Sequence, residues 1–150
     1  KMRQPYQVLV FPYRKTNEKY QYALFLREDL NIWQGIAGGV ENGENILDSA
    51  KREALEEANI SNQAKFIMLD SYTMMPVTNV VKKFIWGDDV LLIKEYAFGV
   101  NAQKEKIKIS FEHLKYSWFD YDKAQIMLLW HSNKTALWEL NEKLRKGIIK

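Results

Sequence analysis

The chain has 150 residues, of which 47% are hydrophobic and 27% charged, proportions typical of a globular domain. Its 22 basic residues nearly balance 19 acidic ones, and a net charge of +3 does not favour a dedicated nucleic-acid binder. Cysteine is absent, which excludes disulfides and thiolate sites, and no stretch is apolar enough for a membrane span. We therefore expect one domain over residues 1–150, a cytoplasmic location and no membrane partner.

The first part of the chain is predicted to form strands. Residues 5–15 and 20–28 are typical of two strands joined by a polar turn at residues 16–19. Residues 32–40 form a short apolar segment that is interrupted by glycines, and four of the seven glycines of the chain fall between Gly35 and Gly43. This density of glycine predicts unusual turns or close approaches of the backbone.

Residues 46–58 are predicted to form a helix, because they are rich in helix formers and contain neither Gly nor Pro. Asn45 is the expected N-cap, with Asp48 completing a weak capping box. Asn59 is expected to end the helix in the left-handed conformation. One face of the helix carries apolar, mostly small residues that would let it pack closely on a sheet: Leu47, Ala50, Ala54 and Ala58.

The second half of the chain is predicted to contain strands at residues 64–73, 90–100 and 106–110, followed by two helices. Asp120 or Asp122 would cap the first helix, which ends near Trp130, and Ser132 would cap the second, which ends near Lys146. Core contacts of these helices are expected from Trp130, Leu137, Leu140 and Leu144. This order of elements predicts an α/β (α+β) domain with a mixed sheet packed against helices.

Three carboxylates crowd one side of the predicted helix. At about 100° per residue, Glu53, Glu56 and Glu57 share a single turn, and like charges at this spacing destabilise a helix. A compensating cation is therefore expected, and oxygen ligands without nearby His or Cys select Mg²⁺ or Mn²⁺. Such ions favour chemistry on phosphate groups. By itself, an E-x-x-E-E pattern favours a solvent-exposed acidic helix face and not a metal site. Here, however, the glycines, Glu44 and Arg52 stand at fixed sequence distances from the pattern, which favours the metal site.

These residues resemble the Nudix box, G-x5-E-x7-R-E-U-x-E-E-x-G-U, where U is a bulky apolar residue. Two positions depart from it: Ala54 is small, and Asn59 replaces a glycine whose left-handed conformation Asn tolerates. The matching residues are Gly38, Glu44, Arg52, Glu53, Glu56, Glu57 and Ile60.

The resemblance implies a Nudix-like α/β/α sandwich and a divalent metal site. It implies that Glu53, Glu56 and Glu57 bind the metal with the backbone carbonyl of Gly38, and that Arg52 and Glu44 orient them. Arg52 would fork onto one of the carboxylates or onto Glu44. The catalytic candidates are thus Glu53, Glu56 and Arg52, and Glu44 is also a candidate for substrate binding.

Further segments are similar to the bacterial dihydroneopterin triphosphate pyrophosphatases: residues 25–29, 33–34, 112–118 and 130–133. This second resemblance implies that Glu112 is a catalytic base or metal ligand; the alternative is an exposed loop glutamate. It makes Trp33 a candidate for stacking on a substrate ring or a core residue. Arg27 is a candidate for binding substrate phosphate or for pairing with an acidic neighbour.

The expected function is Mg²⁺-dependent or Mn²⁺-dependent hydrolysis of a nucleoside or pterin triphosphate to monophosphate and pyrophosphate. The alternatives are a house-cleaning nucleotide hydrolase, a sugar or dinucleoside diphosphatase, and a Nudix module that binds nucleotides without cleaving them. The expected partner is a small phosphoanhydride; nucleic acid is not expected, since no basic-aromatic run occurs. Monomer and homodimer both stay open.

Overall fold

The computed structural model describes residues 2–111 and 113–150. Within these ranges the chain forms seven strands, three α-helices and a short 3-10 helix at Val77–Asn79. The strands and helices, in chain order, are β1 (Arg3–Thr16), β2 (Lys19–Arg27), β3 (Trp33–Gln34), β4 (Ile36–Glu41), α1 (Ile46–Ala58), β5 (Phe66–Pro76), β6 (Leu92–Asn101), β7 (His113–Asp120), α2 (Tyr121–Met127) and α3 (His131–Arg145).

The strands form one mixed sheet in which β1 is the centre. The order is β3-β2-β1-β6-β5, with β4 also paired to β1 and β7 to β2. β1 runs parallel to β6 and antiparallel to β2 and β4. Its neighbours therefore bring residues from distant parts of the chain to a single strand.

Both faces of the sheet are covered by helices. Val8 and Val10 of β1 face a core that includes the small residues of α1. Leu9, Phe11 and Tyr13, at the alternating positions, face a core built with α2 and α3. This burial on both sides accounts for the continuous apolar stretch at residues 8–13 of β1 and gives the predicted layers, helix on sheet on helix.

α1 begins and ends where the sequence predicts. The Asn45 side chain accepts a hydrogen bond from the Asp48 amide, and Asn59 adopts the left-handed conformation with φ of 59°. The Asn59 amide donates back to the carbonyl groups of Ala54 and Leu55. Ala50, Ala54 and Ala58 are fully buried as expected, whereas Leu47 is exposed and does not belong to the packed face.

The prediction of a strand at residues 106–110 is wrong. Residues 106–110 run past the end of α1 instead of joining the sheet. The amides of Lys108 and Ser110 donate to the carbonyl groups of Ala58 and Glu57, at 3.1 Å in each case. The segment therefore satisfies acceptors that the last turn of a helix leaves open.

The C-terminal part differs from prediction in three respects. β7, which pairs with β2, was not predicted, because its charged and polar residues obscure the alternation. α3 begins at His131 with Trp130 as its cap, so Ser132 lies inside the helix. Leu137, Leu140 and Leu144 are buried as predicted, but Trp130 is 47% exposed and is not a core residue.

None of the helices in the described part of the chain is long and apolar enough to span a membrane.

Candidate active site

Arg52 is the centre of a network that joins α1 to β4 and to the turn between them. Its Nε and Nη2 donate to the two carboxylate oxygens of Glu44, at 2.7 and 3.1 Å. Its Nη1 donates to Glu53 at 2.7 Å and to Glu56 at 2.8 Å, and its Nη2 also donates to the Gly39 carbonyl at 2.8 Å. Arg52 therefore forks onto Glu44 and the helix carboxylates at once; the sequence left these two possibilities open.

The electrostatics of this network stabilise the charged guanidinium. The hydrogen bonds to Glu44, which outweigh the opposing effect of burial, raise the pKa of Arg52 above its ordinary value. The side chains of Arg52 and Glu44 are 23% and 16% exposed, so solvent screens their pairing only in part. Glu44 also accepts the Glu41 amide at 2.9 Å, which ties the turn after β4 to the same cluster.

The three helix carboxylates differ in their access to solvent. The Glu53 side chain is 13% exposed and that of Glu56 is 53% exposed. Glu57 is buried, at 7% exposure, and its backbone carbonyl accepts the Ser110 amide. The helix therefore presents a graded row of carboxylates from its buried edge to solvent.

Gly38 lies against the carboxylate of Glu53. A Cβ atom added to Gly38 would overlap the carboxylate group, so only glycine leaves room for Glu53 in this position. Ser49, which is fully buried, donates through Oγ to the Gly39 carbonyl at 3.3 Å. The close packing of α1 on β4 thus depends on glycine in the strand and on small residues in the helix.

The donor set suits a hard divalent cation. Glu53, Glu56 and Glu57 supply only oxygen ligands, which Mg²⁺ and Mn²⁺ prefer. Across residues 2–111 and 113–150, no three Asp, Glu or His side chains are already gathered closely enough to hold a metal ion. Between Glu53 and Glu56 lies the Arg52 guanidinium, which donates to both.

The predicted substrate-binding residues Arg27 and Trp33 make contacts of their own. Arg27 forms a bidentate ion pair with Asp29, which agrees with the second of its two predicted roles. Trp33 is half-buried, packs edge-on against Phe119 with ring centroids 5.3 Å apart, and belongs to the border of the core under α3. Glu112 lies outside the described residues.

A partly buried polar row on the α3 face of the sheet was missed from the sequence. Arg3 donates through Nη2 to Gln7 at 2.8 Å, and Gln7 donates through Nε2 to Glu95 at 2.7 Å. The Arg3 guanidinium lies over Gly39, and its Nε has no hydrogen-bond acceptor among the described residues. Burial lowers the pKa of Arg3, against the opposing effect of the Glu53 charge. The row therefore runs from the neighbourhood of Glu53 across β1 to β6.

Glu95 is the most unusual member of this row. It is 5% exposed on β6, and burial raises its pKa despite the hydrogen bond from Gln7. The available signal was its position between Ile93 and Ala97, which alternate on the inward face of the strand. A charged residue at an inward-facing position of a strand is uncommon enough to mark a site.

Comparison with known proteins identifies the fold. A NUDIX domain model matches residues 4–139. The solved structure of a NUDIX hydrolase from Listeria monocytogenes strain 4b F2365 is 38% identical, with a TM-score of 0.88, and the match covers 98% of this chain and 99% of that one. The structure of the Escherichia coli dihydroneopterin triphosphate pyrophosphohydrolase is 24% identical, with a TM-score of 0.77 over 95% of this chain and 98% of that one.

Among curated proteins, the dihydroneopterin triphosphate diphosphatase of Escherichia coli K12 is 28% identical over 145 residues, which are 90% of this chain and 91% of that protein. The matches define an α+β Nudix fold with a sheet between helices. The chain belongs to the Nudix family. It is accordingly a hydrolase of the class that acts on acid anhydrides, and its family generally uses divalent metal cations.

Proposed function

We propose that this protein hydrolyses a nucleoside or pterin triphosphate to the monophosphate and pyrophosphate, with Mg²⁺ or Mn²⁺ as cofactor. The observation that carries the proposal is the network in which Arg52 holds Glu44, Glu53 and Glu56 together. The curated relative that is 28% identical, named a dihydroneopterin triphosphate diphosphatase, supports a triphosphate carrying a heterocycle.

Glu53, Glu56 and Glu57, with the carbonyl group of Gly38, are the proposed ligands of the metal. Bound divalent ions would neutralise phosphate charge and lower the pKa of the attacking water. Arg52 and Glu44 position the carboxylates, because the bidentate ion pair restricts the rotamers on both sides. In the proposed reaction a water oxygen forms a bond to one phosphorus, the bond from that phosphorus to the bridging oxygen breaks, and pyrophosphate leaves. The water proton passes to Glu53, Glu56 or Glu112.

The test is substitution of the carboxylates by isosteric amides. Glu56→Gln and Glu57→Gln are each expected to lower kcat by roughly a hundredfold or more, because they remove a ligand charge without changing side-chain size. Glu18→Gln is the control, since the Glu18 side chain is 94% exposed and lies in the turn between β1 and β2. Near-normal pyrophosphate release by either site variant, with its far-ultraviolet circular dichroism unchanged, would show that the carboxylate assignment is wrong.

The same assay separates the alternative functions. Pyrophosphate and orthophosphate release would be measured for dihydroneopterin triphosphate, nucleoside triphosphates, oxidised nucleotides, nucleotide sugars, dinucleoside polyphosphates and RNA with a 5′-triphosphate. A preference for a diphosphate-linked substrate would favour a sugar or dinucleoside diphosphatase. Tight nucleotide binding without turnover in saturating Mg²⁺ and Mn²⁺ would favour a binding module.

A further inference from the structure

Strand β5 lies at one end of the sheet. In the described part of the chain it pairs with β6 alone, so no strand covers its outer edge. Edge strands of natural proteins are usually short or carry lysines and prolines, which prevent pairing with another chain. β5 is 11 residues long, its one charged residue is Asp70, and its one proline is the last residue. The register shifts between Met68 and Tyr72, and the stretch after this bulge, residues 72–76, forms a regular and unprotected edge.

The backbone groups of this stretch point alternately to β6 and to the outer edge. The Val77 amide donates to the Leu91 carbonyl at 2.8 Å, and these two residues continue the antiparallel register of β5 with β6. Hydrogen-bonded pairs alternate along an antiparallel ladder, so the residues two and four positions before Val77 also direct their backbone groups to β6. The amides and carbonyl groups of Tyr72 and Met74 therefore point outward.

The outward positions on either side of Tyr72 and Met74 are blocked. The amide of Asp70, two residues before Tyr72, donates to the Glu139 carboxylate of α3 at 2.6 Å. Pro76, two residues after Met74, has no amide hydrogen. Two open donors with a blocked position at each end make this edge symmetric about its middle residue.

We propose that β5 pairs antiparallel with β5 of a second copy of this chain, across a two-fold axis at Thr73. In this register Tyr72 of each copy lies opposite Met74 of the other, and the two residues exchange both backbone hydrogen bonds. The blocked positions, Asp70 and Pro76, face each other outside these bonds. A register shifted by two residues in either direction would set Met74 or Tyr72 opposite a blocked position and leave its carbonyl group unpaired.

The exposed side chains of this edge fit the same partner. Tyr72 and Met74 are 60% and 48% exposed. Their register partners on β6 are Tyr96 and Lys94, and the Lys94 ammonium lies 4.1 Å from the centroid of the Tyr72 ring. In the proposed dimer each Tyr72 ring lies beside the thioether of Met74 of the other copy, which is a favourable contact of sulfur with an aromatic ring.

Charge and area are consistent with a weak dimer. The two Asp70 side chains lie at opposite ends of the paired segment, and each is within 3.1 Å of Lys143 in its own copy, so like charges do not meet. The segment from residue 70 to residue 76 extends about 24 Å, and side chains on both faces bring the contact to roughly 500 Å² on each copy. A total of about 1,000 Å² is the lower limit for a specific interface, so we expect a dissociation constant on the order of 10 μM.

Sedimentation velocity between about 1 and 200 μM protein tests the association. We expect the wild type to change from monomer to dimer over this range, and Tyr72→Lys to raise the dissociation constant at least about tenfold, because lysine on an edge strand opposes pairing. Trp138→Lys is the matched control, since Trp138 is an aromatic residue of α3 with a similar exposure of 55%. A wild type that stays monomeric at about 200 μM, or equal weakening by both variants, would overturn the proposal.

A backbone variant tests whether the edge itself is used. Met74→Pro removes an outward amide and leaves the hydrogen bonds to β6 in place, as prolines on natural edge strands do. The folded variant is expected to be monomeric over the same concentrations, with the far-ultraviolet circular dichroism of the wild type. An unchanged dissociation constant for folded Met74→Pro would show that the copies associate through another surface.

Cross-linking tests the register, because the chain has no cysteine of its own. Residues at the axis form a pair without mutual hydrogen bonds, with Cα atoms about 4.5 Å apart, which a disulfide can span. Under mild oxidation Thr73→Cys is expected to form at least about fivefold more covalent dimer than Tyr72→Cys, whose thiols are offset along the ladder. Glu18→Cys, at a side chain that is 94% exposed, measures random collision. Cross-linking of Thr73→Cys no higher than that of either other variant would exclude an axis at Thr73.

Discussion

The Arg52 network makes a quantitative prediction about the stability of the protein. In Arg52→Lys the positive charge remains, but a single ammonium group replaces the fork that reaches Glu44, Glu53 and the Gly39 carbonyl. Hydrogen bonds to charged groups contribute about 1.5–3 kcal/mol each when buried. Because Arg52 and Glu44 keep 23% and 16% exposure, and the ammonium retains part of the contacts, we expect a net loss of about 2 kcal/mol.

Urea unfolding followed by circular dichroism, with a chelator present, measures this loss, and the melting temperature should fall by roughly 4–8 °C. Arg145→Lys is the matched control, since the Arg145 side chain is 61% exposed and pairs with Glu142 on the same helix. It should change the free energy of unfolding by less than about 0.5 kcal/mol. If Arg52→Lys cost no more than Arg145→Lys, the network would not stabilise the fold and the reasoning would fail.

Three further predictions concern single positions. Gly38→Ala should lower activity by roughly a hundredfold, because the new Cβ displaces the Glu53 carboxylate; Gly99→Ala, which meets α3 instead, should lower stability and leave turnover intact. Asn59→Ala should reduce the free energy of unfolding by about 1 kcal/mol, because alanine is strained at the left-handed φ of 59°. Asn59→Gly should cost little, since glycine adopts this conformation readily. Equal losses of stability in the two variants would contradict this explanation. Burial raises the pKa of Glu95, so the native state holds the carboxyl proton more tightly than the unfolded state does. The wild type should therefore lose stability relative to Glu95→Gln as pH rises above about 4.5. A difference that does not vary with pH would contradict the burial of this carboxylate.

The sequence predicted α1 with its bounds and both caps, because helix formers, an Asn at each end and small residues at helical spacing are local signals. It also predicted the layers of the fold and the close relation of Arg52 to Glu44. The choice of Arg52 partners stayed open at that stage, since the turn after β4 decides which carboxylates fall within reach of its fork.

The polar row from Arg3 to Glu95 was beyond sequence reasoning, because strand register is not a local property. Gln7 and Glu95 are 88 residues apart and meet only through the parallel pairing of β1 with β6. For the same reason residues 106–110 were misjudged: their apolar alternation is real, but their hydrogen-bond partners are helix carbonyl groups. The metal-binding and catalytic assignments to Glu53, Glu56, Glu57 and Glu112 stay predictions.

The central position of β1 has a consequence for how the protein is made. This strand leaves the ribosome before β2 to β7, yet its pairing with β6 needs residues 94–101, which are synthesised much later. At translation rates of about 5–20 residues per second, one edge of the buried stretch of β1 waits on the order of ten seconds for its partner. During that interval β1 is an open template for other chains. The nascent protein therefore depends on chaperone shielding, or on transient pairing with β2 and β4, more than its native stability would suggest.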